Sequence, residues 1–451
     1  MSLSLPADAQ GERSAQSRSR VGRGSPVIGV GVLTAIAVGN IVIWIAARPS
    51  GEPTGRYIGE VCGAEAVVLF ACVLALATLI PAIEVAFGGL DRVAVWHRRV
   101  ATVAMVLIVP HVVLVTSPAD PYLTPVGQGL GDVAVLGLLV LTLWAVAPRL
   151  RAARWPGPIR RLAQATYERW LTAHRLTGLF VAAAVAHAAI VDPALHRSVL
   201  ERASFLTIGG IGVAAYVYRE VFARLFVPIY DYSIATVSRL NDTTLEVGLD
   251  PIRGSMRFGA GQFVFIAIGG SGGWQRHPFT VASSPSDPRL QLSIKSVGDY
   301  TKDLYDNLQP GLPAKLAGPF GGFDYTLGGH DQIWIAGGIG ITPFISWMRS
   351  LDGSFTRSVD FFYSVKNTAG ALYLEEINAI SASHPSLRTN LVCSDTDGQL
   401  TAKGIMGDRR SDGECWIYMC GPPAMMRSLA SGFEQLGVPR SHIRWEDFGG
   451  R

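Results

Sequence analysis

Apolar residues fill the first half of the chain in blocks of about twenty, and beyond about Val227 they thin to an alternating pattern. The blocks fall at residues 26–46, 58–82, 93–116, 129–147, 170–190 and 203–222. Each is long enough for an α-helix to cross the roughly 30 Å hydrocarbon core of a bilayer, so the pattern predicts a six-span membrane α-helical bundle over 26–222. The period then drops to two, as in Thr243-Thr-Leu-Glu-Val-Gly-Leu and Gly261-Gln262-Phe263-Val-Phe-Ile-Ala-Ile, which predicts an antiparallel β-barrel over 227–325. From about Asp331 short apolar strands precede glycine turns and helical stretches: Gln332-Ile-Trp-Ile-Ala-Gly-Gly, Val359-Asp-Phe-Phe-Tyr-Ser, Cys415-Trp-Ile-Tyr-Met-Cys-Gly. This predicts a parallel α/β nucleotide-binding domain over 330–451, with ligands at the carboxyl ends of its strands. Residues 1–25, rich in Ser, Gly and Arg, read as a disordered tail. No cleavage-site pattern follows them, so the first span is expected to be retained.

Two of the spans carry paired histidines. The third reads Trp96-His97-Arg98-Arg99 and ends in Pro110-His111; the fifth holds Trp170, His174, Gly178 and His187. An ionisable side chain in a membrane helix is functional by default. Fourteen residues of helix rise about 21 Å and thirteen about 20 Å. If the two helices run in the same direction, His97 is level with His174 and His111 with His187. Each level then offers two facing imidazoles, the ligand set of a six-coordinate haem iron. The angles fit less well: His111 falls within roughly 40° of the face of His97, whereas His187 falls roughly 140° from that of His174 on an ideal helix. A bend near Gly178 is the expected remedy.

Composition agrees with a membrane protein. Of 451 residues, 49% are apolar and only 16% charged, and the mean hydropathy is positive. The net charge of +4 comes with no basic stripe interleaved with aromatics, so nucleic acid is not an expected partner. The five cysteines, Cys62, Cys72, Cys393, Cys415 and Cys420, form no CxxC pair and no iron–sulfur spacing, which suggests reduced thiols. The loop from Ser117 has no Lys or Arg, whereas the next carries Arg149, Arg151, Arg154, Arg160 and Arg161. By the positive-inside rule both termini lie in the cytoplasm of a multi-pass protein of the inner (plasma) membrane, with Arg48 and Arg56 as a mild exception. Spans three and five then run parallel, as the histidine pairing requires.

The polar half holds two further motifs. Arg276-His277-Pro278-Phe279-Thr280 follows Gly261-Gln262-Phe263 and precedes Lys295-Ser296-Val-Gly298-Asp-Tyr300-Thr301. Together these resemble the FAD-binding barrel of the ferredoxin reductase-like enzymes, in the variant found in NADPH oxidases and ferric reductases, where His277 and Phe279 replace the usual arginine and tyrosine. The resemblance implies that Phe279 stacks on the isoalloxazine, Thr280 bonds near its reactive nitrogen and His277 approaches the pyrophosphate; Pro278 and the Lys295–Thr301 segment complete the flavin site. Thr301 also looks like a helix N-terminus, where free N–H groups favour phosphate. In Ile335-Ala-Gly337-Gly338-Ile-Gly340-Ile-Thr342-Pro343-Phe344, glycines permit close approach and Thr342-Pro343 opens a helix. In the family this string holds the nicotinamide cofactor's pyrophosphate. Lys366, at the end of the following strand, favours NADPH, since a cation welcomes the 2′-phosphate.

Met419-Cys420-Gly421-Pro422 resembles the segment bordering the nicotinamide, which places Cys420 by the hydride path. Phe448 matches the C-terminal aromatic that covers the flavin, although three residues follow it. The resemblance, to the ferric reductase and NADPH oxidase superfamily, runs from about residue 30 to the end. It implies electron transfer from NADPH through FAD and two haems b, held by His97, His111, His174 and His187, to an outer acceptor. A ferric chelate is the first expectation and O2 the second. The loop from Ser117 to Gly131, with Asp120 and Tyr122, declares no chelate site. A reading from another class makes the helices a haem-free anchor for a flavin reductase serving soluble partners.

Overall fold

The computed structural model describes residues 26–78, 80–115, 124–146, 167–222, 228–270, 274–407 and 414–446. The N-terminal tail, Asp120, Tyr122, the arginine-rich loop from Arg149 to Arg161 and Phe448 lie outside the described residues. The chain divides into two compact units, one of residues 25–87 and 92–226 and one built on residues 227–451.

The first unit is helical. Its elements are α1 (Pro26–Ala46), α2 (Thr54–Leu76), the short α3 (Pro81–Phe87), α4 (Leu90–Leu114), α5 (Pro125–Val146), α6 (Tyr167–His174), α7 (Thr177–Val191), the short α8 (Pro193–Arg197) and α9 (Val199–Val217), which ends in a π turn over Tyr218–Phe222. Among the described residues six stretches are long and apolar enough to cross a membrane. The helix α2 is buried nearly all round and forms the hub, whereas α4 turns Val103, Val106, Val109 and Val113 outward and keeps Val100 and Ala104 inward. Glycines bring helix axes together where there is no water to drive association. Gly137 of α5 admits the Phe180 ring, and Gly212 of α9 lies against the backbone of Ala71 on α2.

The fifth span is not one helix. It breaks at Arg175-Leu176, between α6 and α7, where the Thr177 hydroxyl donates to the freed carbonyl of His174 at 2.5 Å. This removes the angular misfit expected of a continuous helix, because His174 and His187 sit on separate segments. The break lies just before Gly178, whose own role is to admit the Tyr216 ring.

The second unit opens with six antiparallel strands: β1 (Ile229–Asn241), β2 (Thr244–Pro251), β3 (Phe263–Ile268), β4 (His277–Thr280), β5 (Leu290–Lys295) and β6 (Pro313–Phe320), in the order β4-β3-β6-β1-β2-β5. The sheet curls until its edges meet at an antiparallel bridge from Val281 to Leu292. Alternating inward residues such as Val247, Leu249, Val264, Ile266, Leu292 and Leu316 fill the interior, and α10 (Asp299–Asn307) inserts Leu304.

The remainder is a five-stranded parallel sheet, in the order β11-β10-β7-β8-β9. Its elements are β7 (Asp331–Gly337), α11 (Thr342–Met348), β8 (Ser358–Val365), α12 (Leu374–Ser383), β9 (Leu387–Cys393), α13 (Ser394–Asp397), α14 (Ala402–Met406), β10 (Trp416–Cys420), α15 (Pro423–Gln435) and β11 (Ile443–Glu446). Phe344, Ile345 and Ile377 cover one face, and Ile405, Met426, Leu429 and Phe433 the other. From β7 the chain winds outward through β8 and β9, then crosses back to put β10 on the other side of β7. The crevice at the carboxyl ends of β7 and β10 is therefore the topological switch point, where such sheets bind ligands.

Candidate functional site

In the helical unit the four histidines meet in two pairs. The ring centroids of His97 and His174 are 6.3 Å apart with the rings 74° from coplanar, and those of His111 and His187 are 6.3 Å apart at 85°. Each Nδ1 has a partner. His97 Nδ1 lies 3.2 Å from the Val73 carbonyl, His111 Nδ1 3.0 Å from that of Gly59, and His187 Nδ1 2.8 Å from that of Gly127. His174 Nδ1 is 3.4 Å from the Thr177 hydroxyl, and its ring stacks on Trp170 with centroids 4.8 Å apart. A carbonyl only accepts, so Nδ1 carries the hydrogen in the first three rings, and in the neutral imidazole Nε2 keeps its lone pair.

Glycines not anticipated from the sequence make this seating possible. A Cβ on Gly63 would lie 2.7 Å from Cε1 of His111, and one on Gly131 would lie 2.7 Å from Cε1 of His187. Each glycine sits one turn beyond the glycine whose carbonyl receives the same ring. The pairs Gly59/Gly63 on α2 and Gly127/Gly131 on α5 thus form two equivalent seats. Their four-residue spacing was the available signal. Among the described residues no group of three or more His, Cys, Asp or Glu side chains gathers as a metal site.

In the second unit β4 is an edge strand paired to β3, with Phe263 opposite Thr280. Phe279 is half-buried, Pro278 exposed, and Thr280 buried with its hydroxyl lacking a hydrogen-bond partner. His277 stacks on Tyr300 at 3.7 Å between centroids, and burial pushes the Tyr300 hydroxyl up to about 12, with Asp303 adding to the effect. Lys295 is exposed at the end of β5, and the Ser296 amide bonds to Thr243. Gly298 caps α10. The Thr301 hydroxyl is engaged in its own loop, accepting from the amides of Val297 and Gly298 at 2.9 and 3.0 Å. Thr301 therefore shapes this helix start and its hydroxyl is not free to meet a phosphate.

At the switch point the glycines divide their work. A Cβ on Gly337 would lie 2.7 Å from Pro422 Cδ, one on Gly340 would collide with the Cys420 carbonyl, and one on Gly421 would lie 3.0 Å from Gly337. These three let the ends of β7 and β10 close on each other. Gly338, at φ 53°, faces open space and is the one at which a ligand can approach the backbone. Thr342 is buried and donates to Ile339, and Pro343 occupies the first turn of α11. Cys420 is wholly buried at the end of β10, level with Ala336 on one side and Glu446 on the other. Lys366 is exposed past β8, and its carbonyl receives the amide of Asp395 in the acidic turn Ser394–Asp397. That acidic neighbour was not anticipated, because it comes from the next strand.

Similarity to known proteins centres on this second unit. Residues 229–319 match the family described as FAD-binding domain, and residues 334–431 match the one described as oxidoreductase NAD-binding domain. A component of the Na(+)-translocating NADH-quinone reductase of Pseudomonas paraeruginosa is 31% identical over 160 residues, which is 32% of this chain and 39% of that protein. The reductase component of propane 2-monooxygenase from Gordonia sp. is 27% identical over 240 residues, 49% of this chain and 68% of that one. The chain thus spans well under half the length of the first of these relatives. A flavohemoglobin from Malassezia yamatoensis, solved with bound FAD and heme, shares the fold at a TM-score of 0.51 and 15% identity, over 91% of this chain and 98% of that one. The second unit is a ferredoxin reductase-like pair of FAD-binding and NAD-binding domains, which in the sequence follows six apolar stretches among the described residues.

Proposed function

We propose that the chain is a transmembrane oxidoreductase of ferric reductase and NADPH oxidase type, moving electrons from cytosolic NADPH through FAD and two haems b to an acceptor on the outer face. The observation that carries this reading is the pairing of the four imidazoles. A metal sits about 2.0 Å from an imidazole nitrogen, and that nitrogen about 1.1 Å from its ring centroid, so two rings sharing one metal hold their centroids about 6.2 Å apart. Both pairs stand at 6.3 Å. The anchored Nδ1 groups add the outer hydrogen bonds that fix ring orientation and raise ligand basicity.

His97 and His174 would hold the inner group, and His111 and His187 the outer. When bound, the flavin converts a two-electron hydride into single electrons that haem iron carries one at a time. The protein's part is to orient and exclude. Thr280 presents its unpartnered hydroxyl in a water-poor position beside β3, Phe279 offers a half-buried ring, and His277 is held flat by Tyr300. Gly338 opens the switch point to a pyrophosphate, Pro422 and Cys420 wall its far side, and Lys366 supplies a cation for a 2′-phosphate. The chain is read as multi-pass in the plasma membrane with cytoplasmic termini. A ferric chelate is the acceptor of this reading.

Purified protein in detergent tests it. The expected spectrum has a b-type Soret band and an α band that sharpens when NADPH is added under argon, with two haems per chain. A bare flavin spectrum would overturn it in favour of an anchored flavin reductase. Comparing chelated-iron reduction with superoxide dismutase-sensitive cytochrome c reduction in one preparation decides between a ferric chelate and O2.

A further inference from the structure

A carboxyl lies inside the helical unit without a cation. Glu65 on α2 is 5% exposed, and Asn40 Nδ2 of α1 donates to its Oε2 at 2.8 Å. Among the described residues no Lys, Arg or His forms an ion pair with it. An acid at this depth in hydrocarbon is costly unless it has work to do. Its height can be read along α2, whose residues Gly59 and Gly63 seat His111 and whose Val73 carbonyl anchors His97. Two residues beyond Gly63 and eight short of Val73, Glu65 lies about 3 Å along the axis from the outer seat and about 12 Å from the inner anchor, and about 160° round α2 from that seat, on the side that meets α1.

A string of polar groups leads from Glu65 toward the end of the bundle that carries Arg56, Asp192 and Arg197. Trp44 follows Asn40 by one turn of α1. Its carbonyl meets the Tyr57 hydroxyl, which also lies 3.0 Å from Oε1 of the fully buried Glu201. Tyr57 has one hydrogen and two partners, so it can switch its donation between them. Asn40 Oδ1, Trp44 Nε1 and Glu201 Oε2, spaced along this string, are buried and make no hydrogen bond within the protein. Buried polar atoms left in a row call for an explanation, and a relay is one.

We propose that Glu65 is a proton-loading carboxyl coupled to the outer histidine pair. When one electron arrives at that tier, the carboxylate takes up one proton from the outer side, with Glu201 and Tyr57 as the titratable stations of the route and Asn40 holding the carboxylate in place, and becomes a carboxylic acid. When the acceptor removes the electron, the proton returns by the same route. Electron and proton enter and leave together, so the charge held in the low-dielectric interior stays constant. The inference rests on the haem reading above. The other titratable groups around Glu65 are few. Its own helix brings Glu60, Cys62 and, two turns on, Cys72. On α1 the amide of Asn40 meets it, Glu201 of α9 stands beyond Tyr57, and His111 and His187 of the outer pair belong to α4 and α7.

The test is a potentiometric titration of the purified two-haem protein between about pH 5.5 and about pH 8.5, with Glu65→Gln and Glu65→Asp beside the wild type. In the wild type the outer haem, identified by its loss in His111→Ala, should become harder to reduce as pH rises, by up to about 59 mV for each tenfold fall in proton concentration. The dependence should vanish in Glu65→Gln, persist in Glu65→Asp and leave the inner haem unaltered. A reduced-minus-oxidised infrared spectrum should show a carboxylic acid band that Glu65→Gln lacks. Equal slopes in wild type and Glu65→Gln, or a pH-independent outer haem in the wild type, overturn the proposal. Should Glu65→Gln fail to assemble, the wild-type slope and infrared band still decide. Absence of haem from the wild type would instead sink the reading beneath it.

Discussion

His111 donates from Nδ1 to the Gly59 carbonyl at 3.0 Å. Fourteen residues along α2 the Val73 carbonyl takes His97, and His97 and His111 are themselves fourteen residues apart on α4. Two antiparallel helices thus carry matching rulers, one of ring donors and one of carbonyl acceptors. The match constrains the level of both tiers at once, because sliding α4 by a single residue would break both contacts.

The seats make the glycines indispensable in a way their size alone would not. Gly63→Val should displace the His111 ring, and Gly131→Val the His187 ring, since the first added carbon already falls 2.7 Å from Cε1 in each case. Loss of an orienting contact typically costs about 10–100-fold in metal affinity. The expected result is about half the wild-type haem per chain by pyridine haemochrome assay. Retention of two haems in both variants would mean the rings do not depend on these seats.

The histidines themselves separate the two halves of the reaction. His111→Ala should abolish reduction of the outer acceptor while leaving NADPH oxidation by soluble dyes within about twofold, because such dyes take their electrons at the flavin, ahead of either histidine pair. Loss of both activities would contradict the proposed order of electron flow. His97→Ala should give the same split, with the inner haem band missing.

Much of this is legible in the sequence. The six spans and the curled antiparallel sheet follow from apolar period, the parallel sheet from short apolar strands set before glycine turns, and the level pairing of the histidines from their spacing together with the arginine distribution that makes spans three and five parallel. Three things were hidden. The break at Arg175-Leu176 depends on a Thr177 hydroxyl capping a carbonyl, which apolar periodicity cannot register. The seats use backbone carbonyls of Gly59 and Gly127, and every residue has a carbonyl. The division of labour among Gly337, Gly338, Gly340 and Gly421 depends on β10 lying beside β7, a contact between residues some eighty positions apart.

Cofactor choice turns on a local balance of charge. Lys366 favours a 2′-phosphate, while Asp395, whose amide bonds to the Lys366 carbonyl, and Asp397 oppose it. Lys366→Glu should lower kcat/KM for NADPH relative to NADH by about 10–100-fold, or roughly 1.4–2.8 kcal/mol. A ratio unchanged by the substitution would place the discriminating group elsewhere.

Between α7 and α8, Asp192 accepts from the amides of Ala194 and Leu195 while burial, with Glu60 nearby, pushes its carboxyl up to about 8. An acid raised in the fold from its unfolded value near 4 keeps its proton where the unfolded chain has lost it. Its contribution to stability is therefore full below about pH 4, falls as pH rises, and is gone above about pH 8. Asp192→Asn keeps the capping oxygen and removes the titration. Thermal unfolding of this variant should vary less between about pH 5 and about pH 9, with a gain on the order of a few kcal/mol at the alkaline end. Parallel curves for variant and wild type would show that Asp192 carries no such load.

A guanidinium lies at the centre of the contact between the two domains of the second unit. Arg349, at the end of α11, makes a bidentate pair with Glu376 of α12 at 2.7 and 2.8 Å and bonds Gln291 of β5 at 2.7 Å and the Ala282 carbonyl at 3.0 Å. Its face lies 4.9 Å from the Tyr373 ring, whose hydroxyl reaches Ser293 and Glu246 of the barrel, each at 2.7 Å. Burial, with Glu246 adding to it, raises the Tyr373 hydroxyl, so it remains protonated to donate. Arg349→Met leaves the Glu376 and Glu246 carboxylates without their cation; Glu376 is more than a third exposed, so the cost falls between the roughly 1 kcal/mol of an exposed pair and the roughly 3 kcal/mol of a buried one. Lysine would not restore the fork, since its point charge cannot bond both carboxylate oxygens and stack on a ring. Flavin release on heating should therefore move to lower temperature in Arg349→Met and Arg349→Lys alike. NADPH-dependent dye reduction should fall by about tenfold or more as the two crevice walls lose their fixed spacing. Recovery of both properties in Arg349→Lys would mean that charge alone holds the domains, and that the planar contacts to Glu376 and Tyr373 are incidental.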